Sequence, residues 1–289
     1  MLVSICMITY NHESFIAQSI ESILAQVTDF SIQLVIGEDK STDRTLIICN
    51  DYAEKFPDKI KLITSNENVG MKLNFFRTYK ACGSKYIAFC EGDDYWTDPY
   101  KLQKQVNFLE QNATFSGCFH NVKMQLERAG ENREWILHES LPKDSFDTED
   151  VLTPWFIPTL SFVFVNYPDF ELPDWFFHCE YGDLPFMLLL SLRGNFKYFN
   201  EVMGVYRLHD NGVSAVHKNY DKIMVMVYIY ASFDIHTNYK YHDAIRRAAI
   251  YEIDRHTPPK EISTVEISKN SISGLEKLYR KMKKIIQTN

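Results

Sequence analysis

A chain of 289 residues, 45% hydrophobic and 24% charged, carries enough apolar material for a large core and a smaller second unit. Its formal net charge of -7 argues against a protein that coats nucleic acid, because such proteins present a phosphate-neutralising basic face. Cys6, Cys49, Cys82, Cys90, Cys118 and Cys179 include no C-x-x-C pair and sit mostly in apolar runs, so small core residues in a reducing compartment are expected, with no disulfide framework or zinc site.

Residues 2–9 (LVSICMIT) predict a buried strand, and 13–26 an amphipathic helix with Ile16, Ile20, Ile23 and Leu24 on one face. No basic leader or cleavage site occurs in MLVSICMITYNHE, so a signal peptide is not expected. A strand follows at 32–37, a helix at 43–56, a strand at 60–64, a helix at 70–82, a strand at 85–90 and a helix at 98–111. This alternation predicts an α/β domain with a largely parallel sheet. Beyond residue 120, Pro142, Pro154, Pro158, Pro168 and Pro173 interrupt short aromatic segments, and loops with irregular strands covering a crevice are expected. A helix is expected over 183–194, a strand or turn at 203–214, and helix again from 219 to a break at Pro258-Pro259. Apolar runs such as Val225 to Phe233 fall short of the roughly 20 residues of a membrane span, and a cytoplasmic location is expected.

In such sheets ligands collect beyond the carboxyl ends of the strands. Polar clusters follow each of the first four: Thr9-Tyr10-Asn11, Glu38-Asp39, Asn66 to Gly70, and Glu91 to Asp94. All four are expected to line one crevice. The last gathers three carboxylates, and unit charges about 4 Å apart repel by roughly 4 kcal/mol at an effective dielectric near 20, so the turn needs water, donors or a cation. The first loop, TYNHES, lacks G-x-G-x-x-G, and no G-x-x-x-x-G-K-[ST] occurs, which argues against a dinucleotide dehydrogenase and a P-loop ATPase. A divalent cation on carboxylates remains the obvious way to neutralise a phosphate there.

The order and spacing of VSICMITYNHESFIAQSIESILAQ, EDKSTDRT, NENVGMKLN, YIAFCEGDDYWTDPYKLQKQVNFLE, EYGDLPFMLLLSLRG and EVMGVYRLHDNGVS resemble the family 2 glycosyltransferases, inverting enzymes of the nucleotide-diphospho-sugar transferase superfamily. The resemblance covers residues 1 to about 215. It implies a GT-A (Rossmann-like) glycosyltransferase domain over 1–215, with a mostly parallel sheet flanked by helices, and leaves 216–289 as a helical C-terminal extension. The implied activity is metal-dependent transfer of a hexosyl unit from a nucleoside diphosphate sugar to a hydroxyl of a saccharide or lipid-linked saccharide, in surface polysaccharide synthesis.

Glu91-Gly92-Asp93-Asp94 is similar to the family's D-x-D region, with Glu where Asp is common, and the resemblance implies Mn²⁺ or Mg²⁺ bridging the donor's phosphates. It puts Asp94 on the metal, Asp93 on the metal or the donor ribose, and Glu91 in support, while Gly92 allows close backbone approach. By themselves these residues could be a solvated turn capping the helix near Asp98. Thr9 and Tyr10 are implied at the nucleotide base, and Asp39 as acceptor for a pyrimidine NH; Glu38-Asp39-Lys40-Ser41 departs from the family's Asp-Asp-Gly-Ser, and 39–43 is also a good turn and N-cap. Asn68 and Lys72 are implied near the donor diphosphate at a helix start, where a plain turn and a solvated Lys remain open.

Asp183 is implied as the base that takes the acceptor hydroxyl's proton, with Glu180 the runner-up; Asp183 also suits an N-cap, with Pro185 just inside the helix. His209 is implied as a third metal ligand and Arg207 at the phosphates. Trp96 either walls the sugar pocket or packs in the core. A sugar-nucleotide pyrophosphorylase would show a Gly-rich basic loop where TYNHES stands. A non-catalytic nucleotide- or glycan-binding relative would not need Asp93, Asp94 and Asp183 together. Within 274–287, Leu275, Leu278, Met282, Ile285 and Ile286 share a helical face among Lys277, Arg280, Lys281, Lys283 and Lys284. That face could pack on the domain, on a second copy in a homo-oligomer, or on the anionic inner face of the membrane.

Overall fold

Continuous apolar runs become strands buried on both faces. A computed structural model describes residues 1–128, 130–152, 155–210, 212 and 219–256. In chain order the elements are β1 (Val3–Thr9), α1 (Ile16–Leu24), β2 (Ile32–Glu38), α2 (Thr45–Lys55), β3 (Ile60–Ile63), α3 (Met71–Lys80), β4 (Tyr86–Phe89), β5 (Tyr95–Trp96) and α4 (Lys101–Gln111). They continue with β6 (Phe115–Arg128), β7 (Glu131–Ile136), β8 (Ser145–Phe146), α5 (Thr148–Val151), β9 (Val163–Val165), α6 (Asp183–Ser191), β10 (Asn195–His209), α7 (Asn219–His236) and α8 (His242–His256). Two compact units divide the chain, residues 1–216 and 217–289.

The first unit is built on one mixed sheet in the order β3-β2-β1-β4-β9-β6-β10-β5, with β7 added on β6 and β8 on β10. From β3 to β4 the strands are parallel, which follows from the strand–helix alternation. Val3, Ile5 and Met7 of β1 are fully buried, as are Ile16, Ile20 and Ile23 of α1. Burying each such side chain is worth about 1.5–3 kcal/mol.

Beyond residue 120 the expected irregular strands are present, but two of them are longer than expected. β6 and β10 are strands of 14 and 15 residues, and β10 runs parallel to β6 through register shifts near Val202. Among the described prolines, Pro142, Pro158, Pro168 and Pro173 fall in the connection between these strands, whose strand β9 wedges antiparallel between β4 and β6. The predicted helix at 183–194 forms as α6, seated by Phe186 against Phe75, Phe89 and Phe164 at centroid distances of 5.8, 5.4 and 5.1 Å. Trp96 is a core residue, its indole N–H donating to the Leu160 carbonyl at 2.9 Å and its ring 4.1 Å from the buried Lys101 ammonium.

In the second unit α7 and α8 pair through Asp234 and His242 at 2.7 Å, and Phe233 stacks on Tyr241 in the turn just before α8. The expected break at Pro258-Pro259 and the amphipathic stretch 274–287 lie outside the described residues. Among the described residues, no helix is long and apolar enough to cross a membrane.

Candidate active site

The ends of β1 and β4 bring the first loop against the acidic turn. Gly92 donates its N–H to the Ile8 carbonyl at 3.0 Å, and the Ser19 hydroxyl of α1 reaches the Gly92 carbonyl at 2.9 Å. A Cβ on Gly92 would lie 2.6 Å from Thr9 Oγ1, so the turn can sit this close only because that residue has no side chain. Asn11, with φ of 55° in the left-handed region that Asn tolerates, then turns the chain so that His12 faces the acidic turn.

Asp93 is the centre of the resulting group. Its Oδ2 lies 3.1 Å from His209 Nε2 and 3.7 Å from His12 Nε2. One ligand atom from each of the three residues falls within 4.8 Å of the others. Burial pushes the Asp93 carboxyl up, but the His209 hydrogen bond and the two imidazoles outweigh it and hold the pKa below the ordinary value. Burial pulls the His12 imidazole down against the opposing charge of Asp93, which favours the neutral form that ligates metals. His12 Nδ1 is 3.2 Å from Thr9 Oγ1, an outer partner that fixes the ring.

Asp94 faces elsewhere: only 4% exposed, it accepts the Arg207 backbone N–H at 2.8 Å. Burial, then the charges of Asp93 and Glu91, push its carboxyl well above the usual range. Glu91 is pushed up to about 8 by burial, then by Asp93 and Asp183, and its Oε2 is buried without a hydrogen-bond partner. The Arg207 guanidinium donates to the Asp93 carbonyl at 2.6 Å and to Gln18, and lies 4.4 Å from the Tyr95 ring. It braces the turn from beneath.

Asp183 opens α6 as its first residue, half-buried, and burial raises its pKa. Burial, and then the charges of Asp94, Glu91, Asp93 and Asp183, push the Tyr206 phenol well above its ordinary value. Glu180 is exposed.

The other expected nucleotide contacts are tied into the loops. Asp39, 2% exposed, accepts the backbone N–H groups of Val69 and Gly70 at 2.9 and 2.8 Å, and Asn68 donates to the Asp39 carbonyl at 3.0 Å. Thr9 is buried, whereas Tyr10 is 41% exposed. Lys72 does not stand free in solvent; its ammonium donates to the Phe177 carbonyl at 2.9 Å, joining α3 to the 3-10 turn Asp174–His178 that precedes α6. Asp43 accepts the Thr45 N–H at 2.9 Å just ahead of α2, whose N-cap position is Arg44 and carries no side-chain cap bond. An open cavity of about 430 Å³ beside His209 is lined by Asn11, Glu13, Phe15, Asp43 and Glu127 among others.

The arrangement therefore joins Asp93 and His209 and adds His12, which sequence reasoning missed; a histidine in the loop after the first strand was its only signal. Two imidazole nitrogens and a carboxylate oxygen fit a cation that accepts mixed N and O donors, as Mn²⁺ does, better than Mg²⁺, which prefers oxygen and retained water.

The sequence profile described as "Glycosyl transferase family 2" matches residues 4–165. An uncharacterised protein of Mycobacterium tuberculosis is 33% identical over 217 residues, covering 73% of this chain and 60% of that protein, so the chain matches only about three fifths of this relative's length. A putative teichuronic acid biosynthesis glycosyltransferase of Bacillus subtilis is 26% identical over 223 residues, covering 74% of this chain and 82% of its own. The crystal structure of S. aureus TarS in complex with UDP-GlcNAc has the same GT-A-type fold, with a TM-score of 0.61 and 15% identity over 89% of this chain and 72% of that one. The profile spans more than half of the residues, and the chain belongs to glycosyl transferase family 2.

Proposed function

We propose that the protein is a metal-dependent inverting glycosyltransferase that moves a sugar from a nucleoside diphosphate donor to a hydroxyl of a saccharide or lipid-linked saccharide, in surface polysaccharide synthesis. The single observation that carries this reading is the packing of His12 and His209 against Asp93 in the acidic turn after β4, with one ligand atom of each within 4.8 Å of the others. That cluster lies beyond the carboxyl ends of β1 and β4, where ligands of such sheets bind. Likeness to a fold solved with UDP-GlcNAc supports a nucleotide-sugar donor.

Asp93, His209 and His12 would hold Mn²⁺ or Mg²⁺, with Mn²⁺ favoured by the mixed donors and Asp94 supporting the turn from behind. When bound, the cation neutralises charge on the departing nucleoside diphosphate. Thr9, Tyr10, Asp39, Asn68 and Lys72 would shape the donor pocket, Asp39 by holding the 69–70 loop and Lys72 by holding the turn before α6. Asp183 takes the proton from the acceptor hydroxyl, and its raised pKa makes the carboxylate a stronger base than an ordinary aspartate. Direct displacement inverts the anomeric carbon without a covalent intermediate.

Incubation with a panel of nucleotide sugars and acceptors plus Mn²⁺ tests the reading. Turnover should vanish with chelator and fall steeply in Asp93→Ala and Asp183→Asn. Turnover indifferent to all three would defeat it.

A further inference from the structure

Strand register sets up a row of side chains leading away from the carboxyl cluster. Tyr206 of β10 lies opposite Met124 of β6, and Met124 lies opposite Trp135 of β7. Directly paired residues project from the same face of a sheet, so the three form one line. With strands about 4.8 Å apart, that line is about 10 Å long. Its inner end, Tyr206, directly precedes Arg207, whose backbone N–H donates to Asp94 of the acidic turn at 2.8 Å. Its outer end is Trp135, half-buried, with the Arg133 guanidinium 5.2 Å from its ring.

Trp155 stands against the inner end. Its ring meets Tyr206 at 5.7 Å between centroids and 64° between planes, yet the residue stays 42% exposed. Its position is anchored, because the next residue, Phe156, accepts at its carbonyl a hydrogen bond from His138 Nε2 at 2.8 Å, just beyond the end of β7. Of the four tryptophans, Trp96 is used up in the core, whereas Trp155 keeps a large indole face in solvent beside the reacting groups.

An aromatic face beside hydrogen-bonding groups matches a sugar ring, which has an apolar C–H face and a polar rim. We propose that Trp155, Tyr206 and Trp135 form a stacking shelf for successive sugar rings of the acceptor glycan, leading outward from the acidic turn. This rests on the glycosyltransferase reading and deepens it: the acceptor is an oligosaccharide chain of more than one residue, held by its ring faces. A 10 Å row exceeds what a single sugar ring covers.

The test uses the full chain with Trp155→Ala, Trp155→Phe and Trp135→Ala. Binding of chitohexaose, mannohexaose and galactohexaose, each beside its monosaccharide, is measured by saturation-transfer NMR, with the melting temperature confirming the fold. The wild type should bind at least one hexasaccharide more tightly than its monosaccharide. Trp155→Ala should weaken that binding about fivefold or more, and Trp155→Phe should restore most of it. Equal affinity in wild type and Trp155→Ala, or no preference for any hexasaccharide, would overturn the shelf. If glycan binding depends on Trp155 but no nucleotide sugar is turned over, the shelf stands and the transferase reading fails. If transfer proceeds and binding ignores Trp155, the transferase stands and the shelf fails.

Discussion

Replacing Gly92 with alanine should damage both stability and metal binding, and the structure sets the scale. The new methyl would lie 2.6 Å from Thr9 Oγ1, 2.8 Å from Thr9 Cβ and 3.0 Å from Ile16 Cδ1. None of these can yield easily: Thr9 is β-branched and paired on β1, and Ile16 is fully buried at the start of α1. Overpacking of this kind costs about 1–3 kcal/mol. Displacing Thr9 also breaks its contact with His12 Nδ1, worth about 1 kcal/mol. Gly92→Ala should therefore lose about 2–4 kcal/mol in urea unfolding and weaken Mn²⁺ binding measured by electron paramagnetic resonance. Thr9→Ala removes the nearest clashing atom, so the double variant should cost less than the two single variants added together. Strict additivity, or a Gly92→Ala protein with wild-type stability and Mn²⁺ affinity, would refute the claim that the turn is pressed against the first loop.

Three further outcomes follow from named contacts. His12→Ala should weaken Mn²⁺ binding at least tenfold, measured by the same resonance titration, because it removes one of three ligand atoms. Lys72→Met should lower kcat several-fold while UDP affinity, read by calorimetry, changes less, since Lys72 holds the Phe177 carbonyl ahead of α6; a direct phosphate contact would reverse that pattern. Burial lowers the Lys101 ammonium to about 7, so between pH 7 and its ordinary value near 10.4 the unfolded chain binds more protons and stability rises with pH. The penalty is full below pH 7, and Lys101→Met should stabilise the protein there by on the order of 3 kcal/mol and flatten the pH slope in urea unfolding, even with Gln105 losing its donor.

Apart from the two-residue β5, the elements from β1 to α4 are legible because parallel strands buried on both faces read as unbroken apolar runs and their helices carry one apolar stripe. β6 and the first part of β10 are not, because β6 buries His120 and Asn121 and the pairing shifts register near Val202, which breaks the alternation a strand should show; only the end of β10, within the strand or turn expected at 203–214, was legible. Residue types in the acidic turn pointed to the turn where Asp93 packs against His12 and His209. Their orientation did not follow: adjacent Asp93 and Asp94 look alike in sequence, yet one faces two histidines and the other a backbone N–H of β10. Asp39 and Lys72 illustrate the same gap, since their partners are backbone groups of distant loops that no side-chain pattern reveals. His12 depends on a left-handed Asn11, a local conformation that residue type permits without requiring.

The most direct test is anomalous diffraction from crystals grown with Mn²⁺ and a UDP-sugar, recorded on both sides of the manganese edge. A manganese peak bounded by His12, Asp93 and His209, beside the donor's phosphates, is the expected result. Density for the nucleotide with no such peak, or with manganese bound away from Asp93, would contradict it.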